Sequence, residues 1–397
     1  MALQTRTRRW SASPAPLTDS PAVPFVALER QHALLGHELT AAFDRVLRDS
    51  AFVLGDEVDR FEVEFAAACG ADACVGVASG TAALTLAIKA AGIGRGDEVI
   101  VPAHTFIASA LGVVHAGATP VFCDVERGTG LIDADSAASV VSERTTALLA
   151  VHLYGQACEM DALWALARRH GLIVVEDAAQ AHGSTYRGRS VGSLGGVSAF
   201  SFYPSKNLGA LGDAGAVCTD DPEIARSARR LRDLGQRRRG EHVDVGFNER
   251  LDGLQAAFLR AKLPHLGAAN RARREHAAVY RDGLDGVQVL EERDHTPSVN
   301  HLFPVRLPGR EAARAHLAAR GIETGVHYAR AAHEHPAWDG VLAPPPIELP
   351  EACAWAAEEL SLPMFAELRP GEIERVVAAC ADLPPAATEP DGPTKET

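Results

Sequence analysis

Short apolar runs that alternate with stretches of helical spacing limit the possible folds of this chain more than any other feature. The runs are Cys74–Ala78, Glu98–Pro102, Thr119–Cys123, Ala147–Val151, Leu172–Glu176, Val197–Phe202 and Gly215–Thr219. Helical spacing separates the first five runs, for example at 81–91 and 161–170. Strands that are apolar on both faces and alternate with helices form mostly parallel sheets with helices on both sides. The pattern therefore predicts an α/β fold with a large, mostly parallel, seven-stranded sheet.

The second half of the chain has a different pattern. It contains two long helical stretches, at 251–263 and 268–284, and then shorter strand-like segments at 287–290, 300–307 and 322–326. This order predicts a smaller C-terminal α+β domain. We therefore expect a large domain at 23–265, a small domain at 266–383, and disordered tails at 1–22 and 384–397. Arg8 and Arg9 precede no apolar segment, so they do not indicate an export signal.

The charge balance argues against several classes of partner. The formal net charge is −13, from 39 basic and 52 acidic residues, which disfavours nucleic acid or an anionic membrane surface as the main partner. No apolar run approaches the roughly 20 residues that cross a bilayer. The seven cysteines are scattered without a Cys-x-x-Cys pair. This usage indicates reduced thiols in a cytoplasmic protein, and neither a disulfide framework nor a zinc site.

Lysine is rare in this sequence, so a lysine in an unusual setting stands out. Only four of the 39 basic residues are lysines: Lys89, Lys206, Lys262 and Lys395. Lys206 follows an apolar run and begins the Gly-rich segment KNLGALGDAG. The other three lie in helical patterns or near the C-terminus, where a solvated side chain is expected. A lysine held in a pocket can form a Schiff base with an aldehyde and can carry a proton once released.

Two other apolar runs end in segments that are suited to binding charged groups. Ser79, Gly80 and Thr81 precede a helix, and the free amides and dipole of a helix N-terminus attract anions. Glu176 is the last residue of the run at 172–176 and Asp177 follows it, at the position where open α/β sheets bind ligands. A carboxylate there can pair with a buried cation, such as a protonated ring nitrogen. Taken singly, these segments are better explained as an ordinary strand–turn–helix junction and as a helix N-cap or strand-end carboxylate.

Five motifs in a fixed order make the chain similar to a known enzyme family. They are SGTAAL (79–84), PAHTFIASA (102–110), EDAAQAHG (176–183), SFYPSKN (201–207) and GFNERLD (246–252). Over about residues 24–380 the chain resembles the DegT/DnrJ/StrS family of sugar aminotransferases. These are pyridoxal-phosphate enzymes with the aspartate-aminotransferase fold, known as fold type I. Without the other motifs, Asn248 and Arg250 would indicate only the capping region of the next helix.

The resemblance implies a role for each matching residue. Lys206 would form the Schiff base with pyridoxal 5′-phosphate, and Asp177 would pair with its ring nitrogen. Gln180 would contact the ring hydroxyl oxygen, and Phe106 would stack on the ring. The phosphate would be held by Gly80, Thr81, Ala82 and Ser201, and by Asn248 of the neighbouring subunit, which implies a homodimer. The chemistry agrees, because a carboxylate that keeps the ring nitrogen protonated makes the ring a better electron sink.

The resemblance also suggests a substrate. Tyr203, His327 and Tyr328 match residues of the sugar 3-aminotransferase subgroup and would line the hexose pocket, although Ala329 stands where that subgroup usually has proline. The expected acceptor is a nucleotide-linked keto-6-deoxyhexose, foremost a dTDP-3-keto sugar, with glutamate as donor. The pathway would be deoxyamino-sugar biosynthesis, for an antibiotic or a surface glycan. A 4-keto sugar, a ketocyclitol and a non-catalytic regulatory role are the alternatives, and the intact Lys206 and Asp177 argue against the last.

Three histidines raise the question of a metal site. His327, His333 and His335 lie close together in the sequence. No cysteine or carboxylate with ordered metal-ligand spacing stands beside them. We therefore expect no metal.

Overall fold

The computed structural model of the chain describes residues 22–383. Its strands are β1 Ala73–Val77, β2 Glu98–Pro102, β3 Thr119–Cys123, β4 Thr145–Val151, β5 Ile173–Asp177, β6 Thr185–Tyr186, β7 Arg189–Ser190, β8 Val197–Ser201, β9 Gly215–Thr219, β10 Gln236–Arg238, β11 Glu241–His242, β12 Gln288–Val289, β13 Phe303–Arg306 and β14 Glu359–Leu362. Its α-helices are α1 Leu28–Asp49, α2 Asp56–Cys69, α3 Gly80–Ala90, α4 Ala108–Ala116, α5 Ala134–Ser139, α6 Met160–His170, α7 Pro222–Arg232, α8 Gly253–Lys262, α9 Leu266–Gly283, α10 Arg310–Ala319, α11 Pro350–Glu358 and α12 Pro370–Ala381. Apart from Ala22, the predicted tails lie outside the described residues.

All seven predicted apolar runs form strands of one sheet. The strand order is β1-β9-β8-β5-β4-β2-β3. Strand β9 is antiparallel to both of its neighbours, whereas the other neighbouring pairs are parallel. The predicted α/β fold with a mostly parallel sheet of seven strands is therefore confirmed. Because six of the strands run in the same direction, their carboxyl ends lie along one edge of the sheet.

Helices cover this sheet and bury it. Every residue of β2 and β9 is buried, as expected for strands that are apolar on both faces. Helix α3 packs against α4, α7 and the strands β8 and β9, while α6 packs against β4 and β5. The first turn of α3 follows directly after β1, so the packing brings this helix N-terminus to the carboxyl edge of the sheet.

A second, smaller sheet lies in the C-terminal part of the chain. Its order is β12-β13-β14, and both pairs are antiparallel. A separate hydrophobic cluster surrounds it, and the N-terminal residues Val23 and Ala27 also belong to that cluster. The predicted domain boundaries at 265 and 266 stay a prediction.

One predicted strand of the C-terminal region is wrong. Residues 322–326 form no continuous strand. Ile322 makes a single bridge to Val23, and Gly325 makes one to Ser361. The segment divides its pairing between two different parts of the chain, so no ladder can extend along it. The third strand of the small sheet is β14, which the sequence analysis did not identify.

Within residues 22–383, no helix is both long enough and apolar enough to cross a membrane. All seven cysteines lie in this range and are free thiols.

Candidate active site

A cavity of about 390 Å³ opens at the carboxyl edge of the large sheet. The parallel strands cause this placement, because the loops that follow them all leave the sheet at the same edge. The cavity brings together most of the residues singled out in the sequence. Those that line it are Gly80, Thr81, Phe106, Asp177, Gln180, Ser201, Tyr203, Lys206, His327 and Tyr328. Ala82 and Asn248 do not line the cavity of their own chain.

Asp177, the last residue of β5, directs its carboxylate into this cavity. Its Oδ2 accepts a hydrogen bond from Ser109 Oγ at 2.7 Å, and its Oδ1 accepts one from the Ala179 amide at 3.2 Å. Burial raises the pKa of Asp177, while the Ser109 hydrogen bond and the positive charge of Lys206 act in the opposite direction. The site therefore contains a buried acid group beside a basic one.

Glu176, the neighbouring carboxylate, has a different role because successive side chains of a strand point to opposite faces. It is fully buried and accepts hydrogen bonds from the amides of Gly192, Leu194 and Gly195 at 2.7–3.0 Å. His152 Nε2 lies 3.0 Å from the same carboxylate. Glu176 thus holds the loop before β8 in place, and it does not face the cavity.

Lys206 lies on a tight loop between β8 and β9. Its backbone amide donates to the Tyr203 carbonyl at 2.8 Å. A Cβ atom at Gly209 would come within 2.2 Å of the Pro204 carbonyl oxygen, so the loop can fold back this closely only with glycine there. Burial lowers the pKa of Lys206 to about 8, although the charge of Asp177 acts in the opposite direction. In a substantial fraction of the protein molecules, Lys206 is therefore a neutral, nucleophilic amine near physiological pH.

The N-terminus of α3 forms the opposite wall of the cavity. Ser79 caps the helix by accepting a hydrogen bond from the Ala82 amide at 3.1 Å, so that amide is already used. Within the described residues, the amides of Gly80 and Thr81 make no hydrogen bond. A Cβ atom at Gly80 would lie 2.5 Å from Ser201 Cβ, so a side chain would not fit there. These free amides and the Ser201 hydroxyl suit a phosphate group.

Aromatic side chains line the mouth of the cavity. The rings of Phe106 and Tyr328 have centroids 5.2 Å apart. Gln180 Nε2 donates to the Tyr328 hydroxyl at 3.1 Å, and Gln180 Oε1 accepts from the Tyr154 amide at 2.6 Å. Phe106 and Tyr203 are respectively 51% and 55% exposed. Large aromatic groups with this much exposed surface are available to a ligand or to a second subunit.

Comparison with known proteins agrees with this geometry. A family model described as the DegT/DnrJ/EryC1/StrS aminotransferase family matches residues 34–381. The chain belongs to this family. It is 48% identical over 364 residues to a protein of Streptomyces venezuelae named dTDP-3-amino-3,4,6-trideoxy-alpha-D-glucose transaminase, with 91% of this chain and 96% of that protein covered. The chain is therefore an enzyme of the aminotransferase class.

Solved structures of aminotransferases have the same fold. The crystal structure of S. venezuelae DesV in complex with a ketimine intermediate is 48% identical, with a TM-score of 0.88 over 91% of this chain and 98% of that chain. The crystal structure of ntda from Bacillus subtilis with bound cofactor PMP is 27% identical, with a TM-score of 0.85 over 93% of this chain and 86% of that chain. The family and the fold expected from the sequence are thus confirmed.

Polar residues that sequence reasoning did not identify line this aminotransferase cavity or support its lining residues. Ser109 holds Asp177, as described above. His301 lines the cavity, and its Nδ1 lies 3.0 Å from Asn207 Oδ1. Asn207 Nδ2 in turn donates to Asn270 Oδ1 at 2.9 Å. Ser109 and Asn207 lie inside the quoted motifs and could have been identified from them, whereas no local signal marks His301.

The three histidines considered as metal ligands lie in different surroundings. His327 lines the aminotransferase cavity. One potential ligand atom each of His333, Glu334 and Cys353 lies within 4.8 Å of the others. The Glu334 carboxylate also accepts a hydrogen bond from the Ala331 amide at 3.1 Å. His335 does not belong to that group. The expectation that no metal is bound stays a prediction.

Proposed function

We propose that this enzyme is a pyridoxal-phosphate-dependent aminotransferase that moves an amino group from glutamate to a dTDP-linked 3-keto-6-deoxyhexose. The reaction would serve deoxyamino-sugar biosynthesis, for an antibiotic or a surface glycan, in the cytoplasm. One observation carries the proposal. A single cavity combines a buried amine of lowered pKa at Lys206, a buried carboxylate at Asp177 and the free helix amides of Gly80 and Thr81.

The residues of the cavity fit the cofactor. When bound, pyridoxal phosphate supplies an aldehyde carbon that bonds to amines and a ring that stores an electron pair. The amides of Gly80 and Thr81 and the Ser201 hydroxyl would hold its phosphate. Asp177 would hold the protonated ring nitrogen, because an ionised carboxylate favours a neighbouring positive charge. Phe106 would cover the ring, and Gln180 would contact the ring hydroxyl oxygen.

Lys206 would move the proton that the reaction requires. Its Nζ can take up and release a proton near neutral pH, because burial lowers its pKa to about 8. An ordinary lysine, with a pKa near 10.4, would stay protonated and could not act as a base. The buried setting of Lys206 therefore supports its role as the catalytic acid and base.

The acceptor is inferred from the relatives and from the mouth of the cavity. The transaminase of S. venezuelae is named for a dTDP-linked 3-amino sugar. Tyr203, His327 and Tyr328 line the cavity, which is the arrangement expected for a hexose pocket. We therefore propose a 3-keto sugar as the acceptor, in preference to a 4-keto sugar or a ketocyclitol.

A homodimer would complete the active site. Asn248 is an exposed residue outside the cavity of its own chain, which is compatible with its reaching the phosphate of a neighbouring subunit. No arginine lines the cavity within the described residues. A donor carboxylate normally meets a cation, and Lys206 is already assigned to the cofactor. A second subunit could supply the cationic side chain that binds the donor carboxylate.

The exposed apolar surface supports the same proposal. Phe52 and Val53 are half exposed, and Leu211 is 39% exposed. The Gly253 amide at the start of α8 donates to the Phe52 carbonyl at 2.9 Å, and Gln255 accepts from the Leu211 amide at 2.9 Å. These apolar groups therefore lie beside the N-terminus of α8, which follows the segment that contains Asn248. Such a patch is typical of an interface between subunits.

The deciding experiment is an assay of the purified, cofactor-saturated enzyme with glutamate against a panel of dTDP-3-keto and dTDP-4-keto sugars. We expect a dTDP-3-amino sugar as product and ping-pong kinetics, since the two substrates use one site in turn. Lys206→Ala protein is the matched inactive control. Preferential turnover of a 4-keto sugar would support the 4-aminotransferase alternative. Failure to bind the cofactor at all would favour a non-catalytic role.

A further inference from the structure

His327 has one ring nitrogen in a buried hydrogen-bond chain that ends at Glu359. Its Nδ1 lies 2.9 Å from Ser361 Oγ, and Ser361 Oγ donates to Glu359 Oε1 at 2.5 Å. The backbone amide of His327 donates to the other carboxylate oxygen, Glu359 Oε2, at 2.5 Å. Glu359 and Ser361 are both on β14 and are fully inaccessible to solvent. The carboxylate therefore holds His327 through both its backbone and its side chain.

The direction of these hydrogen bonds determines which ring nitrogen is protonated. An ionised carboxylate can only accept hydrogen bonds, so the single hydroxyl proton of Ser361 points towards Glu359. The Ser361 oxygen must then accept from His327 Nδ1–H. Burial and the positive charge of Lys206 lower the pKa of His327 to about 4, so the ring is neutral near pH 7. Its Nε2 is left without a proton, and it makes no hydrogen bond within the described residues.

Contacts on other sides keep the His327 residue in this orientation. The Tyr154 hydroxyl donates to the His327 carbonyl at 2.6 Å, and the Tyr154 oxygen in turn accepts from His104 Nε2 at 2.6 Å. The Phe25 ring stacks on the imidazole with a centroid distance of 5.7 Å. His327 lines the cavity, and because its backbone, carbonyl and ring are all held, the orientation of its Nε2 lone pair is fixed.

We propose that Glu359 and Ser361 are positioning residues that hold His327 in its Nδ1–H tautomer, so that Nε2 accepts a hydrogen bond from a hydroxyl group of the acceptor sugar. This inference rests on the proposed function. A hydroxyl group can donate to Nε2, whereas a keto oxygen has only lone pairs and would be repelled. The tautomer thus distinguishes the hydroxyl-bearing carbons of the sugar from the keto carbon, which must face Lys206.

The same chain should reverse when Glu359 takes up a proton. The Oε2 oxygen already accepts from the His327 amide, so the added proton would sit on Oε1 and be donated to Ser361. Ser361 would then donate to His327 Nδ1, and the ring proton would move to Nε2. Burial raises the pKa of Glu359 to about 7. The accepting form of Nε2 is therefore present above this pH and is lost as the pH falls through it.

Among the charged and titratable groups around Glu359, Glu359 itself is the one whose pKa lies near 7. Those that face it are Arg310 from α10, Tyr154, Tyr328 and His327. Arg306, opposite Glu359 on β13, directs its guanidinium to Glu351 and Glu358 instead. Burial raises the pKa of both tyrosines and lowers that of His327 to about 4. Burial lowers the pKa of Lys206 to about 8. Lys206 serves both half-reactions, so its titration contributes equally to the pH dependence of the variant and of the wild type.

The first test is the tautomer itself, measured on the holoenzyme with ¹⁵N-labelled histidine at a pH well above the Glu359 pKa of about 7, where this carboxylate is ionised. Nitrogen chemical shifts distinguish the two neutral tautomers, and His327→Gln protein identifies the His327 signals. We expect the Nδ1–H tautomer in the wild type. In Glu359→Gln protein, the side-chain amide oxygen would accept from the His327 backbone amide, and the side-chain NH₂ group would donate to Ser361. Ser361 would then donate to His327 Nδ1, so we expect the Nε2–H tautomer. A wild-type Nε2–H tautomer, or the same tautomer in both proteins, would overturn the inference.

The second test separates positioning from general stability by measuring the two half-reactions. Glu359→Gln should raise KM for the dTDP-3-keto sugar about two- to twelvefold, the effect of one lost neutral hydrogen bond, and should remove the pH dependence of acceptor binding near 7. The half-reaction with glutamate should be unchanged. Glu358→Gln, which changes the adjacent ion pair with Arg306, is the matched control. Equal impairment of both half-reactions would indicate a merely structural role.

These measurements separate the inference from the proposed function. If no keto sugar reacts with the wild type, the proposed function is wrong, while the tautomer spectra still test the hydrogen-bond chain. If Glu359→Gln protein does not fold, the wild-type spectrum alone decides whether His327 carries its proton on Nδ1. Ser361→Ala provides a second variant, because it removes the side-chain partner that Nδ1 has within residues 22–383 and should also raise KM for the sugar.

Discussion

Removal of the Ser109 hydroxyl tests the electrostatic role proposed for Asp177. Ser109 Oγ donates to Asp177 Oδ2 at 2.7 Å in a buried setting, and this bond is the strongest influence opposing the effect of burial on the pKa of Asp177. A hydrogen bond to a charged group contributes about 1.5–3 kcal/mol, which corresponds to roughly 10- to 160-fold in rate. We expect Ser109→Ala to lower kcat/KM for glutamate by this factor.

The sign of the pH dependence makes this test specific. The role proposed for Asp177 requires its ionised form, and loss of the Ser109 hydrogen bond raises the pKa of the carboxyl further. Activity in the variant should therefore be lost at a higher pH than in the wild type as the pH falls. Stopped-flow absorbance of the glutamate half-reaction across the pH range measures this acid limb, with the protein saturated in cofactor.

A second buried serine provides the control for Ser109→Ala. Ser198 on β8 is fully buried, and its Oγ donates to the Gly192 carbonyl at 3.0 Å, away from the cavity. Ser198→Ala should change stability without moving the acid limb. The reasoning is refuted if Ser109→Ala leaves the acid limb unmoved, or if both variants lower activity equally at every pH.

Four further outcomes are expected. Borohydride reduction of the holoenzyme followed by peptide mapping should find the pyridoxyl label on Lys206, and Lys206→Ala should abolish turnover; a label on another lysine contradicts the assignment. Asp177→Asn should reduce turnover far more than cofactor content, measured by absorbance, because the phosphate anchors remain. Gly80→Ala should weaken cofactor retention on dialysis, since its Cβ would lie 2.5 Å from Ser201 Cβ; full retention would show that the phosphate binds elsewhere. Mixed dimers of inactive Lys206→Ala and inactive Asn248→Asp subunits should recover activity towards half of wild type, because both lesions can fall in one site; no recovery despite subunit exchange refutes the shared site.

The large sheet was predictable because its determinants are local. A strand that is buried on both faces must be apolar along its whole length, so β2, β5 and β9 are visible as apolar runs before any pairing is known. The connecting helices are visible for the same reason, through their spacing. In the C-terminal region, Glu359–Leu362 contains a polar residue at every other position, and this short strand was not recognised. The contacts of Glu359 and Ser361 with His327, which lies far from them in the sequence, explain why these polar residues are buried.

The site was partly predictable because the motifs that follow parallel strands must meet at one edge of the sheet. The strand pattern placed Asp177 at this edge, and the resemblance to the aminotransferase family assigned Gly80, Asp177 and Lys206 to one cofactor site. The strand pattern alone did not decide between Glu176 and Asp177, which are adjacent and chemically alike, whereas the family resemblance selected Asp177. The structure turns Asp177 into the cavity and Glu176 towards the amides of the loop at 192–195.

The sequence by itself therefore determined the fold class, the family and the set of candidate groups, because each follows from local patterns and from their order along the chain. Only the tertiary structure decided the partners of those groups. Ser109 is 68 residues from Asp177, and Ser361 is 34 residues from His327. Such pairs are formed by the packing of distant elements. The protonation state of a buried group depends on its burial and on its hydrogen-bond partners, so neither can be deduced from the local sequence.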